Sequence, residues 1–154
     1  MRNNPLGNYK SRKTTRKTNK AKPKKHEEDV LEEMVAEYLQ RVYNAVLFHF
    51  DIGAGRKTTM FQATRAKRLH GKWSRGYPDL FIAVSNKYYH GLYIELKADG
   101  KSPFKKDGKL KKDKHLEIQN NIHQVLRDEG YSCGFAVGFV EAKEVIDEYM
   151  ENRV

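Results

Sequence analysis

The sequence predicts an α/β domain, a mixed sheet flanked by helices, preceded by a disordered basic tail. Three patterns carry this reading. A helical stripe opens the body, two alternating apolar segments follow it, and a helix–strand–helix pattern closes the chain. Charge separates tail from body: residues 1–25 hold ten Lys/Arg and no Asp/Glu, while the other 129 carry 20 basic and 20 acidic side chains. The whole formal excess of +10 therefore belongs to the tail. At 154 residues and 38% apolar content, the chain supports one domain, residues 26–154, and hardly two.

The tail is Lys, Arg, Asn and Thr with Pro5, Gly7 and Pro23, a composition that buries too little apolar surface to offset the entropy of ordering. From His26 the pattern changes. Val30, Leu31, Met34, Val35, Tyr38, Leu39 and Val42 recur at the 3.6-residue period of an amphipathic helix, with Glu27, Glu28 and Asp29 in its favourable first turn. Val46 to Asp51 reads as a strand ended by Gly53-Ala54-Gly55, and Thr58 to Thr64 as a second strand within a basic excursion. That excursion, between Asp51 and Asp79, has seven Lys/Arg and no acidic residue. Asp79 to Val84 and Leu92 to Ala98 are two strands joined by a hairpin turn over Ser85 to Gly91. A lysine-rich loop runs from Lys97 to Lys114. His115 to Glu129 reads as a helix stopped by Gly130, Phe135 to Val140 as a short strand, and Glu141 to Tyr149 as a final helix.

Chemistry concentrates in the middle pair of strands. Alternation puts Leu92, Ile94 and Leu96 on one face and Tyr93, Glu95 and Lys97 on the other. Asp79 opens the preceding strand, where a hairpin partner brings its carboxylate near Glu95. Two carboxylates beside an ammonium are costly in a half-buried sheet unless something, commonly a divalent cation, uses them. Phosphodiester hydrolysis asks for such a set: hard oxygen ligands for Mg²⁺ or Mn²⁺, and a lysine to position or deprotonate water or to stabilise developing charge. On periodicity alone, an ordinary ion pair explains Glu95 and Lys97 as well as catalysis does.

Gly76-Tyr77-Pro78-Asp79-Leu80, with fifteen residues between Asp79 and Glu95-Leu96-Lys97, resembles the PD-(D/E)xK signature, in the Gly-x-Pro-Asp-Leu form of the VRR-NUC branch. His115-Leu116-Glu117-Ile118-Gln119, the following helix, Gly130-Tyr131 and a last strand match that branch too, so the likeness spans about Glu28 to Tyr149. The resemblance implies a restriction-endonuclease-like core and a metal-dependent nuclease acting on DNA, structure-selective in repair, recombination or replication. It implies that Asp79 and Glu95 bind Mg²⁺ or Mn²⁺ with the backbone carbonyl of Leu96, that Lys97 is catalytic, and that Gln119 supports the site. Glu28 is the match to the family's first-helix glutamate, with Glu32 where the family tends to have glutamine. At 100° per residue Glu28 lies about 65° from the centre of the apolar stripe, so it can face inward. Two stretches depart from the family pattern: Lys97 to Gln119 is longer and more basic, with eight lysines against three aspartates, and Thr58 to Gly71 looks inserted. Stand-alone relatives imply a homodimer and a role in viral or bacterial DNA processing.

Other features argue for less. The six histidines lack the paired spacing of zinc helices, and Gly53-Ala54-Gly55 is only a fragment of a nucleotide-binding loop. The lone Cys133 reads as a buried structural thiol. Core or hairpin packing is the simpler reading of Phe61, Trp73, Tyr88 and Tyr89, with base stacking the alternative. With no membrane span or secretory segment in the sequence, the expected location is the cytoplasm of a bacterial or virus-infected cell. The cationic tail, Arg56 to Arg75 and the Lys101 to Lys114 loop are expected to hold a nucleic-acid backbone. A non-catalytic nucleic-acid-binding protein on a nuclease fold is the alternative from another class, and an RNA substrate is a third.

Overall fold

The computed structural model describes residues 26–51, 59–70 and 76–153. The basic tail, the Gly53-Ala54-Gly55 turn and Trp73 lie outside these. The chain runs α1 (Glu27–Val42), β1 (Phe48–Phe50), α2 (Met60–His70), β2 (Leu80–Ile82), β3 (Leu92–Lys97), α3 (Lys114–Asp128), β4 (Ser132–Val137) and α4 (Gly138–Glu151). The four strands stand in the order β1-β2-β3-β4, antiparallel at the first two pairings and parallel at the third. This is the expected mixed sheet flanked by helices.

Side-chain alternation sorts the two faces. Leu80, Ile82, Leu92, Ile94, Leu96 and Ala136 point to one side, where Leu31, Val35 and Leu39 of α1 and Ala142, Ile146 and Tyr149 of α4 complete the core. The buried α1 stripe is the i, i+4, i+8 row alone; Val30, Met34 and Val42 remain exposed. Tyr43 and Lys143 bond Asp147 at 2.8 and 2.6 Å, and Tyr38 also donates to it, which ties α1 to α4. The other face carries α3, whose Gln119, Ile122 and His123 are buried.

Local chemistry sets the ends of α3. Asp113 accepts from the N–H groups of His115 and Leu116, so the helix starts a residue before the expected His115. At the far end Gly130 donates to Arg127 O and Tyr131 to Leu126 O, the double bond pattern of a Schellman stop, with Gly130 at φ +84°.

Two expectations about elements are corrected. Thr58 to Thr64 is not a strand: Met60 onward is helical, and Thr58 lies outside the described residues. Over Met60 to His70, Met, Gln, Ala, Arg, Lys and Leu predominate and all favour helix, which outweighs the β-formers Phe61 and Thr64. The last strand covers Ser132–Val137 rather than Phe135 to Val140, and α4 begins at Gly138 rather than Glu141. Gly138, at φ +73°, turns the chain out of the sheet, and Glu141 accepts the N–H of Val137 at 2.9 Å. The apolar run therefore straddles two elements. Among the described residues no helix is long and apolar enough to cross a membrane.

Candidate active site

The candidate site forms where β2 begins and β3 ends. Leu80 pairs with Ile94, so one step further Asp79 stands across from Glu95 on the α3 face. Asp79 Oδ2 accepts the N–H of Leu96 at 2.8 Å, bringing the Leu96 main chain beside the carboxylate. Glu95 is only 3% exposed. Its Oε1 receives Lys97 Nζ at 2.7 Å and, from across the sheet face, the side-chain amide of Gln119. Its Oε2 has no partner, nor has Oε1 of Gln119. Gly76 allows this closeness. A Cβ there would lie 3.0 Å from Ile118 and 3.2 Å from Gln119, and the residue holds φ +85°. The Gly-Tyr-Pro-Asp turn thus lies directly against α3.

The electrostatics follow from burial. Burial pushes the carboxyl of Asp79 above the usual carboxylate range; the Leu96 N–H and Lys97 oppose this, while Glu28 and Asp51 add to it. Burial raises Glu95 as well, with Asp79 adding to the rise against the pull of Lys97 and Gln119. Two neighbouring acids that resist ionisation are the condition a bound cation relieves, and Glu95 Oε2 is a hard oxygen without a partner. The donor set therefore fits Mg²⁺ or Mn²⁺.

The structure brings Asp79, Glu95, Leu96, Lys97 and Gln119 together. Glu28, in the exposed first turn of α1, bears on Asp79 through its charge, but among the described residues no three His, Cys, Asp or Glu side chains converge in one cluster. Sequence reasoning passed over Asp51. Phe50 pairs with Leu80, so Asp51 comes opposite Asp79, donating its N–H to Asp79 O at 2.8 Å; Asp51, Asp79 and Glu95 are therefore successive positions across the ends of β1, β2 and β3, without closing into a metal-sized cluster. Only the β1–β2 register could have revealed it, and alternation alone does not give register. An aromatic floor was also missed: Phe81 stacks on Tyr93 at 4.4 Å, and Tyr77 donates its hydroxyl to that of Tyr93 at 2.9 Å.

His123 is fully buried one turn beyond Gln119, against the ring of Phe135 at 4.5 Å. Burial, helped by Arg127 and Lys97, pushes its pKa down to about 4. Cys133 is half-buried rather than buried as expected, and desolvation still raises its thiol to about 12, in keeping with an inert group. Tyr89 stacks on Tyr149 at 6.5 Å, as hairpin packing requires. Phe61, by contrast, is exposed on α2, where packing was expected.

A solved protein described as a VRR_NUC domain protein superposes on this chain with a TM-score of 0.60 at 26% identity, covering 84% of this chain and 93% of that one. The chain has a VRR-NUC domain fold. A second solved structure, described as a VRR_NUC domain, matches at 21% identity and a TM-score of 0.47, over 81% of this chain and 99% of that one. No protein-family model and no curated protein matches the sequence. Within the VRR-NUC fold, Asp79 stands just before β2, Glu95 and Lys97 stand on β3, and Gln119 on the helix packed over them.

Proposed function

We propose that this protein is a Mg²⁺- or Mn²⁺-dependent endonuclease that hydrolyses phosphodiester bonds of double-stranded or branched DNA, selecting its target by structure. The observation that carries the reading is the buried, half-satisfied carboxylate of Glu95, opposite Asp79 and bonded to Lys97. Asp79 and Glu95 would hold the cation with the Leu96 carbonyl beside them, and Glu28, which stands outside their cluster in this structure, would be the further carboxylate from α1. Bound there, a divalent cation would supply Lewis-acid stabilisation of the phosphate and make water more acidic. Gln119 holds Glu95 Oε1, which leaves Oε2 for binding. Lys97 orients the attacking water, takes or returns its proton, and offsets charge developing on the phosphate. The exposed lysines of the 101–114 loop, which leaves the sheet just beyond Lys97, grip the DNA backbone without reading sequence. Repair, recombination or replication in a bacterial or virus-infected cell is the setting this activity suits.

One observation favours a second reading, nucleic-acid binding without cleavage: among the described residues no third metal-binding side chain converges on Asp79 and Glu95. Cleavage assays on plasmid, linear, flap, four-way-junction and RNA substrates, with Mg²⁺ or Mn²⁺ and with chelator, separate the two. The nuclease reading expects cation-dependent cutting that falls by about 10²- to 10⁴-fold in Lys97→Ala and by orders of magnitude in Asp79→Asn and Glu95→Gln. Cutting that survives chelator, or is undiminished in Lys97→Ala, overturns it. Salt-sensitive binding with no cutting on any substrate establishes the second reading.

A further inference from the structure

Among the described residues α2 shares no extended interface with another helix or strand. It nevertheless presents three large apolar side chains to water: Met60 is 87% exposed, Phe61 78% and Leu69 73%. They are not scattered. Met60, Thr64 and Arg68 form one i, i+4, i+8 row and Phe61, Arg65 and Leu69 the adjacent one, so a single helix face is apolar at its start and cationic further on. Met60, Phe61, Thr64, Arg65 and Arg68 line one hollow of about 510 Å³. Thr64 spends its hydroxyl on Met60 O at 2.9 Å, leaving the guanidinium groups as the polar reach of this face. An aromatic ring with one arginine a turn away and a second two turns away is a pairing that stacks on bases while holding phosphates. A second copy docked on the same face would set Arg65 and Arg68 against their equals, which charge disfavours.

The tethers of α2 narrow the occupant further. The chain leaves the sheet at Asp51 and returns at Asp79, two residues joined by the 2.8 Å backbone bond, so both ends of the excursion start at the carboxylate row. Eight residues lie between Asp51 and Met60, and eight between His70 and Asp79, nine steps of chain in each case. Each span reaches at most about 30 Å. Whatever α2 grips therefore lies within about nine base steps of the candidate site, at roughly 3.4 Å per step.

From the face, its charge and its tethers we infer that α2 recognises unpaired bases at a DNA branch or end, with Phe61 and Met60 against exposed base faces and Arg65 and Arg68 on the flanking phosphates. This deepens the nuclease reading and rests on it for the choice of DNA as ligand. Continuous duplex hides its base faces in the stack and offers Phe61 nothing, so α2 is what separates DNA carrying unpaired bases from fully paired duplex.

The test uses the full chain in chelator, where no cutting occurs. Fluorescence anisotropy compares a forked DNA with a blunt duplex of equal length, and 2-aminopurine at the fork reports stacking. In wild type the fork binds more tightly and its probe changes intensity. In Phe61→Ala the fork-to-duplex affinity ratio falls about tenfold and the probe signal is lost. Arg65→Ala/Arg68→Ala weakens binding to both DNAs and makes the slope of log K against log[salt] shallower by about 1.8. Phe61 is exposed and alanine favours helix, so the variant retains its fold. An unchanged fork-to-duplex ratio in Phe61→Ala overturns the inference. So does a change in ratio that tracks conversion of dimer to monomer in sedimentation, which would assign the face to a second copy. Phe61-sensitive fork binding by a protein that never cuts supports α2 and removes only the nuclease; cutting with Phe61-insensitive fork binding does the reverse.

Discussion

Glu95 and His123 lie on the same side of the sheet and meet burial in opposite ways. Glu95 keeps Lys97 and Gln119 as partners and one free oxygen, a state that suits it to a cation. His123 has no hydrogen-bond partner at either ring nitrogen, so burial favours its neutral form. With the folded pKa at about 4 and an unfolded value near 6.5, the unfolded chain binds a proton in that window that the folded chain refuses. Stability from this group is therefore full above about pH 6.5 and is lost as pH falls towards 4, by on the order of 1–3 kcal/mol. His123→Leu removes the dependence: denaturant titrations at pH 7 and 4.5 should show a smaller loss for the variant than for wild type. Equal losses would mean that His123 is protonated or partnered inside the folded protein. At this scale the sequence exposed Asp79, Glu95, Lys97 and Gln119, because alternation and motif spacing place them without knowledge of packing. It hid Asp51 and the burial of His123, which depend on strand register and on the helix face turned to the sheet.

Elements were legible wherever a local signal marked both ends. α1 has an acidic first turn and a periodic stripe, β2 and β3 follow a Pro turn, and α3 is stopped by Gly130, while its start, set by the Asp113 cap that sequence reasoning passed over, comes one residue earlier than expected. Legibility failed where an apolar run crossed a boundary, as at Val137–Gly138, and where helix propensity competed with a strand-like reading, as in α2. The stop of α3 also ties that helix to the hairpin. His90 donates to Gly130 O at 2.9 Å, and a Cβ on Gly130 would lie 2.8 Å from the His90 ring. Gly130→Ala therefore meets both an unfavourable φ and the imidazole, with an expected cost of about 1 kcal/mol or more and a melting temperature lower by about 3–5 °C. An unchanged melting temperature would show that the hairpin gives way freely and that the Gly130–His90 contact carries no strain. Ser, with the same Cβ, should behave like Ala; Asn, which tolerates positive φ better, should cost less.

Across the whole molecule the charge divides between a body of 20 basic and 20 acidic residues and a tail of ten basic residues. None of the proposed catalytic groups is in the tail. The body's own cations include the exposed lysines between Lys101 and Lys114, held on a loop that the Phe104–Leu110 bridge closes beside the end of β3. These sit at fixed positions near the candidate site, whereas the composition of residues 1–25 suits a chain that follows a phosphate backbone wherever it runs. Affinity and chemistry should therefore separate. Deleting residues 1–25 is expected to weaken DNA binding and flatten its salt dependence while cutting persists at low salt. If about five of the ten charges engage duplex phosphates, the slope of log K against log[salt] becomes shallower by roughly 4 to 5 units, at about 0.9 per contact. Anisotropy titrations between 50 and 200 mM salt, with cleavage measured in parallel at the low end, read both quantities at once. An unchanged slope would assign the tail to a partner other than DNA. Normal binding with lost cleavage would place part of the active site in the tail, against the arrangement of Asp79, Glu95 and Lys97 at the sheet.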